Sequence, residues 1–321
     1  MLKLYLINKN KVDITKFLLR LEFKSNSEEL SQELSFKVNK KLMNLDIELG
    51  SIVTLEDKDE IIRAIIVQKS IEDENTVEYK AFDFGFYLNK SKETYQFKNE
   101  KISDAIAQIV KDAGIKIGSI ANININIKKI YRNERLSDII KDLIDIAFKE
   151  SKQKYYMEIK SGKFYLYEEM SNVIDSSFVM SSNLSKKNVF DFVIKETLNI
   201  SIENMKNSIK VISNANNSKF EYEAKDNSLI DKYGLLQDVK IIEDKDIAKA
   251  KNIANNLLKE NKKIKNEYSL ELMGNPHFRA NRIIKLKDKK INGDYKIINA
   301  NHILEDGIYK MNINIRECIK L

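Results

Sequence analysis

Apolar and polar residues alternate through most of the first ninety positions. Leu2, Leu4 and Leu6 are separated by Lys3 and Tyr5; Phe17, Leu19, Leu21 and Phe23 by Leu18, Arg20 and Glu22; Leu34, Phe36 and Val38 by Ser35 and Lys37. A period of two sends every second side chain to one face of an extended chain, so these segments are expected to be half-buried strands. Residues 52–55, 61–67 and 77–82 supply three more, and the charged stretches 56–60 and 73–75 read as turns between them. Short antiparallel strands in this number have edges to cover. Closing or stacking the sheet is the common solution, so residues 1–92 are expected to form a small β-barrel or sandwich.

The rhythm then changes. Ile102, Ala105, Ile106, Ile109, Val110 and Ala113 recur at three- and four-residue spacing, which predicts a helix that begins near Lys101 or Ser103 and is stopped by Gly114. Ile123, Ile125 and Ile127 alternate with asparagines as a strand would. Leu136, Ile139, Ile140, Leu143, Ile144 and Ala147 mark a second helix, which Asn133 or Ser137 could cap. Tyr155, Met157 and Ile159 face Phe164, Leu166 and Tyr167 across a Ser161-Gly162 turn. Residues 93–170 therefore read as an α+β module. The serine-rich stretch 171–187 reads as a linker or crossing segment.

Residues 188–321 return to strands, at 189–194, 209–212, 220–224, 235–242, 268–272, 282–286, 295–303 and 309–316. Residues 228–234 suggest one helical turn closed by glycine. The clearest helix is expected over 244–262, with Ile247, Ala250, Ile253, Ala254, Leu257 and Leu258 in one stripe, acids at its start and lysines at its end. Asn292-Gly293 and Asp306-Gly307 are tight-turn pairs. The expected class is mixed α+β and β-rich: two small barrel domains, the second interrupted by the long helix, around a middle α+β module. The two barrel-like units share no literal repeat.

The 321 residues carry 55 Lys and Arg against 48 Asp and Glu, a net charge of +7, and 43% are hydrophobic. That is too apolar for a disordered chain, while no run approaches the roughly 20 apolar residues of a membrane helix. The first residues do not read as a secretion signal. One cysteine, Cys318, excludes an intrachain disulfide or a cysteine-based metal site, and two histidines exclude a His-rich one. The basic residues are interspersed. Their densest run, Lys259, Lys262, Lys263 and Lys265, reads as a solvated helix end.

No nucleophile elbow, phosphate loop or dinucleotide fingerprint is present. His277 falls in a turn and His302 inside a strand, both structural positions. The acids Asp57 and Asp59, Glu72, Asp73 and Glu74, and Glu168 and Glu169 fall mostly in turns. Tyr79, Phe82, Phe84, Phe86 and Tyr87 form a dense aromatic group without interleaved basic residues, which reads as core rather than as a base-stacking surface. No catalytic, cofactor-binding or metal-binding residue is assigned. A structural assembly protein fits best; a cell-wall hydrolase and a nucleic-acid-binding module are the alternatives.

Several segments resemble the tail hub proteins of contractile-tailed phages, defective prophages and phage-tail-like bacteriocins, in particular those of PBSX-like elements. They are Val77-Glu-Tyr-Lys-Ala-Phe-Asp-Phe-Gly-Phe-Tyr-Leu88 with Tyr95-Gln-Phe, Arg135-Leu-Ser-Asp-Ile-Ile, Tyr155-Tyr-Met-Glu-Ile and Gly162-Lys-Phe-Tyr-Leu. Further along are Ser201 through Val211, Asp231-Lys-Tyr-Gly-Leu-Leu-Gln, the stretch from Gly274 to Arg282, and the tail from Gly293-Asp-Tyr through His302 to Gly307-Ile-Tyr-Lys-Met. The pattern departs near Asn281, where the family commonly has a glycine, and in lacking a tryptophan in an early strand.

The resemblance implies a homotrimer whose two tube-like barrels per subunit let three chains match a hexameric tail tube on one side and a trimeric central spike on the other. It further implies tube-initiator, baseplate wedge and tape measure proteins as partners. Passing DNA would contact the channel only in a true phage. No enzymatic activity and no cofactor are implied. The protein would assemble in the bacterial cytoplasm and end in the tail baseplate or a released bacteriocin particle, with its positive excess on outer or partner-facing surfaces.

Overall fold

The computed structural model describes residues 2–43, 45–169, 173–174, 177–178, 187–188, 193–213, 221–242, 244–287 and 292–318. The chain forms two compact units, one of Met1–Glu196 with Ser269–Leu321, the other of Thr197–Tyr268.

The first unit opens with β1 (Lys3–Ile7), β2 (Lys11–Asp13), β3 (Leu18–Asn26), β4 (Glu33–Asn39), β5 (Ile52–Glu56), β6 (Glu60–Ile71) and β7 (Thr76–Asp83). These pair antiparallel in the order β3-β4-β7-β6-β5-β1-β2. The alternating residues Leu4, Leu6, Leu21, Phe23, Leu34, Phe36 and Val38 are buried together. Leu19 departs from its expected place and is 44% exposed, because a bulge between Leu18 and Arg20 shifts the β3–β4 register. The turn at 73–75 forms as expected: Asn75 and Thr76 N–H both donate to Asp73 Oδ1, at 2.7 and 2.8 Å.

Next come α1 (Gly85–Lys90), β8 (Lys92–Lys101), α2 (Ile102–Asp112), β9 (Lys116–Ile120), β10 (Asn126–Arg135), α3 (Leu136–Ser151), β11 (Tyr155–Lys160) and β12 (Lys163–Glu168). The apolar stripes of α2 and α3 share a second core with Tyr95, Phe97, Ile127, Tyr131, Phe164 and Leu166. Gly114 ends α2 at φ +72°. Neither helix has a side-chain cap. The N-cap positions are Lys101 and Arg135, Ser137 is buried in the first turn of α3, and Asn133 sits instead at φ +51° in β10. The strand expected from Ile123 starts only at Asn126. β9, which no alternation announces, pairs parallel with β12. Gly118 is required there: a Cβ would lie 2.1 Å from the Tyr165 ring.

β13 (Val173–Ile174), β14 (Ser177–Phe178), β15 (Lys187–Asn188) and β16 (Val193–Ser201) follow; most of the serine-rich stretch, and residues 189–192, lie outside the described residues. The second unit holds β17 (Ser208–Ser213), β18 (Glu221–Lys225), α4 (Asn227–Tyr233), β19 (Gln237–Ile242) and α5 (Ala250–Asn261). Its sheet runs β18-β17-β19, and Ile209, Val211 and Ala224 pack under Ala250, Ala254 and Leu258 of α5. The helix expected over 244–262 divides: Asp244–Lys249 winds as a 3₁₀ turn that takes the acids, and α5 follows with none in its first turn. Residues 228–234 form as expected. Leu229 N–H donates to Asp226 Oδ1, and Gly234 closes α4 at φ +79°.

The tail contains β20 (Lys265–Met273), β21 (Ile283–Lys287), β22 (Asn292–Glu305) and β23 (Ile308–Glu317). Asp306 and Gly307 make the β22–β23 turn at φ +51° and +75°. Asn292 and Gly293 are instead ladder residues opposite Lys287 and Leu286.

The two expected barrels do not form. Closing the first sheet would require β3 to meet β1 or β2; β22 takes that edge instead, from Asn299↔Asn26 to Glu305↔Arg20. The ladder continues from β3 through β22 and β23 to β20, open at β2, while β17, β18 and β19 form a sheet of their own. Alternation assigns most faces of these strands, Leu19 excepted, but leaves the edge partner of β3 undetermined. The class is mixed α+β and β-rich, with several sheets and no closed barrel.

Candidate functional site

The segment between β20 and β21 carries the only proline, Pro276, and folds over the joint of the first unit's elements. Ala280 N–H donates to Ser25 Oγ at 2.9 Å, Asn281 N–H to the Ile297 carbonyl at 3.0 Å, and Arg279 Nη1 to the Ile61 carbonyl at 3.1 Å. Phe278, Arg279, Ala280, Asn281 and Arg282 are all buried.

Glu158 of β11 meets this segment. Its Oε1 accepts from Arg282 Nη2 at 2.6 Å and lies 3.2 Å from Arg279 Nη2, with all three side chains about nine-tenths buried. Burial pushes the Glu158 carboxyl up, but the charges of Arg279 and Arg282 outweigh it and hold the group below its ordinary value. Burial lowers the Arg279 pKa against the pull of Glu158. A cavity of about 20 Å³, room for about one water, opens beside the triad and is also lined by Gln32 and Asn281.

Two neighbouring groups complete the buried polar layer. Asp83 is fully buried, and burial raises its pKa to about 7 despite N–H groups donated by Gln32 and Gly85 at 3.0 Å each. His302 is also fully buried. Its Nε2 must donate to the Phe278 carbonyl at 2.8 Å, because a carbonyl only accepts. Nδ1 then accepts from the Tyr309 hydroxyl at 3.0 Å. The ring stacks on Phe23 with centroids 4.1 Å apart, and burial lowers its pKa to about 3. His302 is thus a neutral, locked structural histidine, as its strand position suggested.

The other residues singled out in the sequence do not converge. His277 is exposed in its turn. Glu72 pairs with Lys37 at 2.6 Å and Glu169 with Lys296; Asp73 is held in its turn, and Asp57 and Asp59 sit in the β5–β6 turn. Glu168 is exposed at the end of β12. Tyr79 stacks on Phe36, Phe82 on Phe86, and Phe84 and Tyr87 pack on the α2–α3 core, so the aromatic group is packing. Burial raises the Cys318 thiol to about 11, which keeps it unreactive. Lys262 pairs with Asp226 at 2.9 Å. Among the described residues no group of three or more His, Cys, Asp or Glu could hold a metal ion, and no helix is long and apolar enough to cross a membrane.

The Glu158–Arg279–Arg282 triad was missed in the sequence. Alternation puts Glu158 on the face opposite Tyr155, Met157 and Ile159, and that face is covered too: Tyr156 and Glu158 are both buried. With both guanidinium groups on one carboxylate and Arg279 also bonded to the Ile61 carbonyl, the arrangement fastens β6, β11 and the segment before β21 together.

Asn281 ties the fold to the earlier resemblance. It sits at φ +65°, where glycine is the unstrained residue, in the segment where the resembled family commonly has a glycine. Replacement by glycine is expected to change stability by less than about 1 kcal/mol. Replacement by valine is expected to cost about 1–2 kcal/mol or more, because a β-branched residue resists this region. Urea midpoints of the two variants check this.

A protein of the Bacillus subtilis phage-like element PBSX, XkdQ, is 26% identical over 271 residues, which cover 80% of this chain and 78% of that one. The 43 kDa tail protein of prophage MuSo2 from Shewanella oneidensis superposes with a TM-score of 0.72, 11% identity and 98% of each chain covered. A tail protein from Neisseria meningitidis gives 0.72 at 10% identity, over 98% of this chain and 96% of that one. The fold is therefore that of prophage tail proteins from end to end. The YQBQ-like family model matches residues 21–316, nearly all the elements described above, and the chain belongs to the YQBQ-like family.

Proposed function

We propose that the chain is a non-enzymatic hub of a contractile-tail baseplate. In this reading three copies surround the axial channel and join the hexameric tail tube to the trimeric central spike. Tube-initiator, wedge and tape measure proteins are its neighbours, and DNA passes only if the particle is a phage. Assembly takes place in the bacterial cytoplasm, before the hub becomes part of a virion tail or a released bacteriocin particle. Two matching barrels no longer serve as the device that adapts three subunits to six.

The observation that carries the reading is the full-length match to prophage tail proteins, combined with family membership. The fastened interior agrees with it: a triad that locks strands and loops suits a subunit that bears load rather than one that turns over a substrate. Deleting the gene and imaging induced particles tests the reading. The expected result is loss of complete baseplates, restored by the wild-type chain at three copies per particle. Normal particles without the chain would overturn it, and another copy number would overturn the trimer.

A further inference from the structure

The β8–β10 pair is a two-stranded sheet with an inward and an outward face. Tyr95, Phe97, Ile127 and Tyr131 point inward to the α2–α3 core. The outward face alternates with them and carries Lys92 and Lys98 on β8, and Lys128, Ile130, Arg132 and Arg135 on β10, all exposed.

The register sets like charges against each other. Lys98 lies opposite Lys128, and Lys92 opposite Arg135. Like charges directly across a ladder destabilise it. None of these five cations pairs with an acid among the described residues, although Glu93 and Glu134 lie next to Lys92 and Arg135 in the ladder, whereas Lys129, which leaves this face, reaches Asp142 at 2.7 Å. Arg135 is also the N-cap of α3, where a positive charge opposes the helix dipole. Ile130, 48% exposed, lies in the middle of the patch. A surface that is unfavourable by itself in three respects becomes favourable when an acidic partner covers it.

We propose that this outward face docks an acidic, extended segment of a different protein in the same particle; the inference rests on the hub reading. Charge complementarity selects an acidic occupant. The inward direction of the ribbon's aromatics disfavours a single-stranded nucleic acid, which would stack on exposed rings, and the exposed aliphatic centre at Ile130 favours a protein over the phosphates of a duplex. A second copy of this chain is a poor occupant. Its net charge is +7, and the acids flanking its sheet turns are already used, Glu56 on Lys11, Glu60 on Arg63 and Glu72 on Lys37.

The test places a photoreactive benzoylphenylalanine at Ile130 in the full chain, within purified particles, and identifies the adduct by mass spectrometry. The expected product joins Ile130's position to an Asp- and Glu-rich segment of another protein. Its yield is expected to fall at least tenfold in the Lys98→Glu, Lys128→Glu, Arg132→Glu variant and to an intermediate level with glutamine at the three sites. The glutamine variant removes the Lys98–Lys128 repulsion, so its purified chain is expected to melt no lower than wild type. An adduct to nucleic acid or to a second copy, no adduct, or a yield indifferent to these charges would overturn the proposal while leaving the hub reading intact. Absence of the chain from the particles would overturn the hub reading first, and the proposal with it.

Discussion

Replacing Glu158 by alanine is expected to destabilise the first unit by roughly 3–5 kcal/mol, the usual cost of removing one partner from a buried ion pair. The residue neutralises two guanidinium groups that are themselves about 90% buried, so its loss leaves two positive charges facing each other without a counterion. The cavity beside them has room for about one water, too little to rehydrate both. Replacing all three members by Met or Leu is expected to cost much less, because no uncompensated charge remains. Urea unfolding followed by tyrosine fluorescence and circular dichroism reads the difference; urea is preferred because an ionic denaturant would screen the charges. A loss below about 1 kcal/mol for Glu158→Ala would show that the triad does not fasten the unit.

Phe23→Ala is expected to cost about 3–5 kcal/mol, as large-to-small changes at buried phenylalanines do. Phe23 stands where β3 meets β22 and covers one face of His302. The variant has a second readout in pH. His302 titrates near 3 in the folded chain and near 6.5 when unfolded. The unfolded state therefore binds the extra proton between these values, and stability falls as pH drops from about 6.5 towards 3, by up to about 1.4 kcal/mol per unit. Without Phe23, water reaches the imidazole and its pKa rises towards the ordinary value, so the variant loses less on acidification. Asp83, with its raised pKa near 7, works in the opposite direction, binding its proton in the folded state as pH falls from about 7 towards 3.8, and it does so equally in both proteins. The stability difference between wild type and Phe23→Ala is thus expected to be smaller at pH 4.5 than at pH 7.5. A difference that grows on acidification would contradict the assignment of His302 as a buried neutral base.

The parts of the fold that were legible in the sequence are those fixed by neighbours along the chain. Leu34, Phe36 and Val38 alternate and form a strand; the α2 and α3 stripes repeat at helical spacing and are buried; Gly114 and Gly234 stop helices at positive φ. What depends on partners distant in the chain was not legible. Alternation in 295–303 reveals a strand but not that it pairs with β3, and that pairing is why the barrels fail to close. Glu158 and Arg282 are 124 residues apart, and neither segment announces the other. β9 escaped because Gly118, which makes room for Tyr165, interrupts its pattern. The positive φ of Asn281 was not legible, since a lone asparagine does not declare a left-handed backbone.

The seam between β3 and β22 has a consequence for synthesis. Strand β3 (Leu18–Asn26) is made long before β22 (Asn292–Glu305), the neighbour that satisfies its free edge. Until then the nascent chain exposes a ready template for pairing with other chains. Only a translation product that has passed β22 can cover it, so chains terminated earlier keep a sticky edge open to proteolysis or aggregation.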